Sequence, residues 1–219
     1  QDKRNKGECN RACFIGGLIM TFKSKQGGLT LIEMMIALVL GLLVSAAIIS
    51  VFISNVKSSS ENIRMMQLNQ ELRAVMNFMS DELKRHGFSS TSDPTLMEQL
   101  RFVDRGFGIN DGDDCVVYAY EDASAAVSTL RKGFRLSNES TIEWSDQNPS
   151  LDCAQGNWQD LTSESNQIVD FSIIDRSASA AGITIQRFDV ELIGQTQLNP
   201  NLAERTIRET IRIRNDDGT

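Results

Sequence analysis

Glu33 is the residue whose position most clearly implies chemistry. It is the only charged residue in the 25 residues from Leu29 to Ile53, and the 20 residues after it, Met34–Ile53, are predominantly apolar. A carboxylate inside a membrane span costs about 2.5–3.5 kcal/mol on insertion scales, and such residues usually serve a function. A buried charge is tolerated when its partner is present. We therefore expect Glu33 to act by pairing with a positive group.

The rest of the chain offers little that could carry out catalysis. His86 is the only histidine, which excludes most triads and histidine-based metal sites. The sequence contains no Gly-x-Ser-x-Gly nucleophile motif and no phosphate-binding glycine loop. The acidic segment 110–114 lacks a glutamate at EF-hand spacing, so we expect a turn there. The sequence thus predicts no catalytic residue, no cofactor and no metal, and His86 is expected to be a cation at a helix end.

The element that must position Glu33 is a membrane-spanning helix. Twenty residues at about 1.5 Å rise per residue give roughly 30 Å, the thickness of the hydrocarbon core of a bilayer. We predict a transmembrane helix over residues 29–53. Six of the 22 Lys and Arg residues lie before it, in residues 1–28. Because basic flanks stay in the cytoplasm, the N-terminus should be cytoplasmic and the C-terminal part should lie outside.

The helix should continue beyond the membrane as an amphipathic segment, residues 54–87. No proline precedes Pro94 that could interrupt it. Apolar residues at helical spacing predict a buried stripe of Leu68, Leu72, Val75, Met79 and Leu83, with Ile63 and Met76 beside it. Basic residues at 84–86 followed by Gly87 are typical of a helix C-terminus.

Residues 88–219 are expected to form a β-rich head. A short helical segment is predicted at Leu96–Val103, and strands are predicted at Cys115–Tyr120, Gly133–Ser137, Thr141–Trp144, Gln167–Asp175, Ile183–Ile193 and Thr206–Arg214. The fold class is therefore α+β, with a long N-terminal helix packed on a C-terminal antiparallel sheet.

Three details of the strands can be predicted from alternation. The buried face of the fourth strand should carry Val169, Phe171 and Ile173. A bulge near residues 186–187 should reconcile the two phases of the fifth strand. The arginine row on the last strand should be a solvated face rather than an anion site.

The segment around Glu33 resembles the type IV prepilin signal. It consists of Lys23-Ser24-Lys25-Gln26-Gly27-Gly28, then Leu29-Thr30-Leu31-Ile32-Glu33, and then the apolar helix. The resemblance implies that a prepilin peptidase cuts after Gly28 and methylates the new amine of Leu29. Glu33 then becomes the fifth residue, and in a bundle of staggered helices it can pair with the Leu29 amine of a neighbouring subunit.

The same resemblance divides the N-terminal flank. A start at Met20 would give a leader peptide of residues 20–28, which is typical of this signal. We expect residues 1–19 to be upstream sequence or an extended start, not necessarily translated, and leave them out of the fold prediction.

Three small residues of the span recur at a spacing of four. Ala37, Gly41 and Ser45 therefore share one helix face. Small residues let membrane helices approach closely, so we interpret the three as helix-packing positions. The ordinary composition of a membrane span explains them equally well.

Two cysteines, Cys115 and Cys153, follow the predicted cut. An even number of cysteines in a domain outside the cytoplasmic membrane favours a disulfide. Two buried thiols are the alternative. In the chain-entropy model, a bridge of this span stabilises the fold by about 4 kcal/mol.

Two stretches are similar to PilW-type minor pilins. One is the helix end, residues 69–88, and the other combines Cys115, Gly133-Phe134-Arg135-Leu136, Cys153 and Trp158. The similarity implies a minor pilin in the tip complex that primes a type IV pilus. Its partners would be prepilin peptidase, other minor and major pilins, the inner-membrane assembly platform and membrane lipid. The J-type minor pseudopilin of type II secretion shares this architecture and is the alternative.

Two further function classes are weaker. A pilus-tip adhesin would need a pocket in the head, for which only the loops Ser89–Asp93 and Glu121–Thr129 are suitable. An enzyme would need a catalytic constellation that the sequence lacks. After the predicted cut the chain keeps 16 of its 22 basic and 27 of its 29 acidic residues, a formal charge of −11, which argues against nucleic-acid binding because that depends on neutralising phosphates. We expect an inner-membrane protein with its head in the periplasm before assembly and on the cell surface in a pilus afterwards.

Overall fold

The computed structural model describes residues 28, 30–89, 94–110, 112–121, 129–180, 183–198 and 200–214. It confirms the predicted α+β class, because one long N-terminal helix is followed by antiparallel β-sheets. The chain divides into two compact units, residues 1–51 and 52–219. The helix α1, Leu31–Leu83, contributes residues to both units, and each unit is described by itself.

In the first unit, every helical residue from 31 to 51 is exposed. The most apolar 18-residue window of α1 has a mean hydropathy of 2.9, and the helix is long and apolar enough to cross a membrane. Large apolar side chains in water are unfavourable over so long a surface. This surface therefore requires lipid or another apolar helix around it.

The second unit carries the sheets. After a 3-10 helix, Pro94–Gln99, its described strands are β1 (Arg101–Val103), β2 (Cys115–Glu121), β3 (Thr129–Leu136), β4 (Ile142–Ser145), β5 (Gln159–Asp160), β6 (Asn166–Asp175), β7 (Ala178–Ala180), β8 (Ile183–Ile185), β9 (Arg187–Gln197) and β10 (Leu202–Arg212). They form a five-stranded sheet in sequence order β1 to β5, a three-stranded sheet in the order β10-β9-β6, and the hairpin β7-β8.

The core of the second unit joins one face of α1 to both larger sheets. Six apolar helix residues are at most 4 % exposed, namely Leu68, Leu72, Val75, Met76, Met79 and Leu83, which confirms the stripe predicted from helical spacing. Ile63 was predicted beside this stripe, but it is 48 % exposed and that prediction is wrong. Gly194 of β9 allows the helix to approach, because a Cβ there would lie 3.0 Å from the side chains of Leu68 and Leu72.

The helix ends at Leu83 rather than at His86. Residues 84–87 form a turn, and Gly87 has a φ of 73°, so the predicted glycine at the helix end does take the left-handed conformation. The Gly87 N–H donates to Ala119 O (2.9 Å), and Glu121 N–H donates to Phe88 O (2.8 Å). The chain leaving the helix thus pairs with the part of β2 that extends beyond β1.

The predicted strands overlap β2, β3, β4, β6, β8, β9 and β10, whereas β1, β5 and β7 were not predicted. The β6–β9 register shifts between Ile168 and Asp170, so a bulge at Val169 puts Ile168 in the core (1 % exposed) and leaves Val169 half-buried. The predicted alternation is wrong there, because the extra residue reverses which side chains face inward. The prediction of one strand over Ile183–Ile193 with a bulge near residues 186–187 is wrong, because the chain there forms two strands, β8 and β9, that belong to different sheets.

Two smaller predictions concern residues 94–103 and His86. The helical segment predicted at Leu96–Val103 is the 3-10 helix Pro94–Gln99 followed by strand β1. His86 lies just after the helix, but it is fully buried with Nδ1 3.0 Å from Ala119 O. The return of the chain onto β2 covers the ring, so His86 is enclosed at the helix end, and its predicted charge stays a prediction.

A disulfide joins Cys115 and Cys153, with their Cα atoms 6.6 Å apart, which confirms the predicted bridge. Both residues are fully buried in a small second cluster with Val117, against which Trp158 packs. The bridge ties the first residue of β2 to the irregular segment between β4 and β5. By closing a loop of 38 residues, it restricts the unfolded chain by about 4 kcal/mol in the entropy model.

A buried ionic cluster fixes the C-terminal turn of α1 to the five-stranded sheet. Glu82 is 6 % exposed, and its Oε2 accepts hydrogen bonds from Tyr118 Oη (3.1 Å) and Tyr120 Oη (2.9 Å). Lys132 Nζ donates to Tyr120 Oη (2.6 Å) and lies 4.0 Å from Glu82 Oε2. Arg85 Nη1 lies 3.2 Å from Glu82 Oε1. The cluster gives the buried carboxylate the partners that its burial requires.

Tyr118, one of the two tyrosines in this cluster, stays a hydrogen-bond donor over the whole physiological pH range. Burial, followed by the Glu82 carboxylate, raises the pKa of Tyr118 well above its ordinary value. The Tyr118 hydroxyl therefore remains protonated at every pH below about 10, the ordinary tyrosine pKa. Its contribution to stability is present below that pH and is lost only as the pH rises further.

Replacing Glu82 should destabilise the head strongly. Glu82→Ala leaves Lys132 and two tyrosine hydroxyls buried without their carboxylate, which should cost roughly 3–5 kcal/mol of unfolding free energy. Denaturant unfolding of the full chain in detergent measures this loss. The neighbouring exposed residue supplies the control, and Asp81→Ala should change stability by less than about 0.5 kcal/mol. Equal, small effects of the two variants would show that the cluster does not hold the helix.

Candidate functional site

The predicted assembly residues lie at the start of α1, where Thr30 and Glu33 form a reciprocal cap. Glu33 Oε2 accepts from the Thr30 backbone N–H (2.9 Å) and from the Thr30 hydroxyl (2.9 Å). In return, the Glu33 N–H donates to Thr30 Oγ1 (3.3 Å). This is a capping box, in which an N-cap threonine and an acid three residues later satisfy each other's backbone groups.

The cap follows from the sequence around it. A helix start leaves several N–H groups without carbonyl partners, and Thr and Glu at this spacing supply acceptors for two of them. The negative carboxylate also suits the positive end of the helix dipole. Sequence analysis singled out Glu33 but missed Thr30, although the Thr-x-x-Glu spacing signals a capping box by itself.

The two oxygens of Glu33 are not equivalent. All the hydrogen bonds from Thr30 reach Oε2. Among the described residues, no hydrogen bond or ion pair involves Oε1. The carboxylate therefore has one oxygen committed to its own helix and one that another donor can approach.

The processing residues are only partly described. Gly28 is exposed, and a Cβ built on it would have no atom within 4 Å. The backbone around Gly28 therefore gives no folding reason for a glycine, as expected where an external enzyme reads the residue. Leu29, the predicted methylation site, lies outside the described residues, as does nearly all of the predicted leader.

The predicted packing face of the span is open. Ala37, Gly41 and Ser45 are exposed, and a Cβ on Gly41 would meet no atom within 4 Å. The Ser45 hydroxyl donates to the carbonyl of Gly41 (2.8 Å), so its hydrogen is satisfied within the helix. The side chains on this face are thus small and need no polar partner. Both properties allow another helix to approach closely in lipid.

The head shows a structural use for its acidic residues. Asp114 and Asp170 are fully buried. Asp114 accepts from the N–H groups of Arg105 and Phe107, and Asp170 accepts from those of Ile109 and Asn110. Of the segment 110–114, which was predicted to be a turn, Asp111 lies outside the described residues, and Asp113 forms an isolated bridge with Ile173 of β6. Over the described ranges, no group of three His, Cys, Asp or Glu side chains could hold a metal ion.

The arginine row of the last strand is a solvated face, as predicted, because Arg208, Arg212 and Arg214 are all exposed. Arg208 makes two bonds to Glu191 (2.6 and 2.8 Å), and Arg176 donates to Asp189 (3.1 Å). These pairs line the concave outer face of the three-stranded sheet. Of the two loops predicted for an adhesin pocket, residues 90–93 and 122–128 lie outside the described residues.

Two family models match the chain. The prokaryotic N-terminal methylation motif matches residues 23–53, the segment that contains the capping box and the apolar helix. The model for prepilin peptidase-dependent protein B matches residues 61–213, which cover the buried helix stripe and the sheets. The chain belongs to the prepilin peptidase-dependent protein B family. No curated protein and no solved structure matches it.

Membership in the prepilin peptidase-dependent protein B family has direct consequences. Prepilin peptidase processes the chain, and the context is pilin assembly. The protein is a type IV pilin-like or pseudopilin subunit, and families of this kind consist of structural subunits rather than enzymes. Its apolar helix is consistent with membrane attachment. The assignment to PilW-type minor pilins is more specific than these matches and stays a prediction.

The capping box can be tested in the full chain in detergent micelles. Thr30→Val removes the hydroxyl that bonds both the carboxylate and the N–H of Glu33, and the loss of such a cap costs about 1 kcal/mol. Amide hydrogen exchange at residues 32–34 should then be about fivefold faster. Thr30→Ser keeps the hydroxyl and should exchange at the original rate. Identical exchange in the valine and serine variants would contradict the cap.

Proposed function

We propose that this protein is a minor pilin, a structural subunit of the complex that primes a type IV pilus. The observation that supports this most strongly is an exposed helical segment, residues 34–53, that carries no charge and follows a capped acid, Glu33. Such a helix is suited to two environments, first lipid and then the apolar interior of a bundle of like helices. The similarity of residues 69–88 and of the Cys115–Trp158 region to PilW-type proteins supports the minor role.

The parts of the chain then have separate tasks. Residues 1–28 include the leader, of which 20–28 are removed by the peptidase. Residues 29–53 span the inner membrane with the N-terminus in the cytoplasm and later enter the filament. Residues 54–87 continue the helix into the periplasm, and residues 88–219 form the head. After assembly the head lies on the cell surface.

Pairing of charges would drive the transfer from membrane to filament. After cleavage, the N-terminus at Leu29 is a cation that also lacks a partner in lipid. The Leu29 amine of a neighbouring subunit can approach Glu33 Oε1 while Thr30 keeps Oε2. Two isolated ions become one pair that retains its hydrogen bonds, the condition under which a buried pair is tolerated. Ala37, Gly41 and Ser45 would let the neighbouring helix approach closely.

Removing the acid should prevent assembly without removing the protein from the membrane. Glu33→Leu takes away the charge that pairs with the neighbour's amine, so the membrane level should be unchanged and the amount in sheared pili should fall at least tenfold. Quantitative mass spectrometry of both fractions measures this. Glu61→Leu, on the same helix outside the span, is the matched control and should assemble normally. Normal incorporation of Glu33→Leu would contradict the pairing mechanism. Recovery of the protein only with secretion pseudopilins would favour the J-type alternative.

Processing can be tested separately at Gly28. Gly28→Val puts a branched side chain at the proposed cut, so the leader should be retained. Intact mass measurement of the membrane protein should then show the unprocessed chain, whereas the natural chain should begin at Leu29 with a methylated amine. Gly27→Ala, one residue earlier, is the control and should be cut. A mature N-terminus in the Gly28→Val protein would place the cut elsewhere.

A further inference from the structure

The outer edge of β10 between Glu204 and Thr210 pairs with no strand among the described residues. β10 is an end strand of the order β10-β9-β6 and pairs with β9 over its whole length, from Leu202 to Arg212. Beyond its end, the Ile213 N–H donates across the same ladder to Gln186 O (3.1 Å). Antiparallel strands turn alternate residues toward each side. Odd-numbered residues of β10 therefore bond β9, and Glu204, Thr206, Arg208 and Thr210 direct their N–H and C=O groups outward.

The opposite edge of the same sheet is closed. The Ile168 N–H of β6 donates to Ser140 O (2.7 Å), and Ile173 exchanges two backbone hydrogen bonds with Asp113 (3.0 and 3.2 Å). No such bond reaches the outward groups of residues 204–210 within the described part of the chain, whereas just beyond β10 the Arg214 N–H donates to Lys84 O (3.5 Å). An unpaired edge of this length is a template for another strand. The contrast between the two edges shows which one is available.

A groove runs beside this edge, between β10 and α1. It has a volume of about 450 Å³ and is lined by Met66, Asn69, Gln70 and Arg73 of the helix and by Arg205, Thr206 and Ile207 of the strand. Met66 is 55 % exposed, and Ile207 packs against the edge of the core. The groove therefore offers apolar surface directly next to the unpaired backbone.

The charges in the groove have one sign. Arg73 and Arg205 are both exposed, and neither forms an ion pair with a described residue. Arg208 lies on the opposite face of β10 and is already bound to Glu191. Glu209, the nearest acid on the groove side of β10, is held by Ser80 and Lys84. The two guanidinium groups are thus available to carboxylates from outside.

We propose that β10 and this groove bind an extended segment of a different protein subunit by strand addition. Main-chain hydrogen bonds to Thr206 and Arg208 would supply affinity, and alternate side chains of the added strand would enter the groove. The segment should place an apolar side chain opposite Ile207 and acidic side chains near Arg73 and Arg205. A second copy of this chain fits less well, because its own β10 would bring further arginines to the same groove.

The proposal can be tested with a designed peptide and the full chain in detergent micelles. The probe is an acetylated, fluorescein-labelled peptide of sequence SETVTES, whose two acids and one valine share a face when extended. Fluorescence anisotropy should show saturable binding. A second peptide, N-methylated at its three central amides, should not bind, because it cannot complete the ladder. Absence of saturable binding by the first peptide, or equal binding by both, would overturn strand addition.

Variants of the protein separate the backbone from the charges. Thr206→Pro removes an outward N–H and should weaken binding at least tenfold, whereas Thr206→Ala keeps the N–H and should bind within twofold of the natural chain. The double variant Arg73→Glu/Arg205→Glu should lose the acidic peptide at least tenfold and bind the peptide SKTVTKS instead. Failure of that exchange would overturn the assigned charge complementarity.

The oligomeric state decides between partner classes. Sedimentation of the full chain in micelles should show a monomer. A dimer that Thr206→Pro abolishes would overturn the choice of a different subunit in favour of a second copy. Since none of these measurements involves Glu33 or pilus assembly, their failure is distinct from failure of the proposed function. Thermal unfolding of each variant shows whether it remains folded, and the N-methylated peptide tests the backbone contact in the natural chain.

Discussion

The structure depends on the satisfaction of charged groups that cannot reach water. Glu33 begins a helix whose next 20 residues carry no charge, and its carboxylate is bonded to Thr30 at the N-cap. The cap lowers the cost of holding an acid at the membrane edge, since backbone donors take the place of water. One oxygen still lacks a partner among the described residues. A helix with these properties can lie in a membrane, and the second carboxylate oxygen of Glu33 can still bind a cation.

The same requirement recurs in the head with the opposite outcome. Glu82 is buried with Tyr118, Tyr120, Lys132 and Arg85 around it, so its carboxylate is fully used inside the domain. The carboxylates of Asp114 and Asp170 likewise accept hydrogen bonds from the backbone N–H groups of one loop. The acids of the head are structural because the fold supplies their partners. Glu33 differs because, among the described residues, one of its carboxylate oxygens has no hydrogen-bond or ion-pair partner.

The sequence predicted those features that depend on short-range periodicity. Leu68, Leu72, Val75, Met79 and Leu83 recur at helical spacing, and each of them is buried, because a helix has one face toward a sheet whatever the details of that sheet. The burial of Glu82 was not predictable in this way, since its hydroxyl partners lie 36 and 38 residues further along the chain. The Val169 bulge was missed for a related reason. Its position depends on the register with β9, and the β6 sequence alone alternates without a break.

The two ends of the buried helix face together determine which helix residues lie beside β10. At one end, Leu68 and Leu72 fit against Gly194, where even a Cβ would be too close, so little rotation of the helix is tolerated. At the other end, Glu82 must reach two tyrosine hydroxyls on β2. Apolar packing alone would accept several similar rotations of the helix about its axis. The contacts at its two ends select one of them. Arg73 lies one residue after Leu72, and it is this fixed rotation that turns its guanidinium into the groove beside Arg205. The contacts of the inner face of the helix thus determine which helix side chains line the groove beside β10.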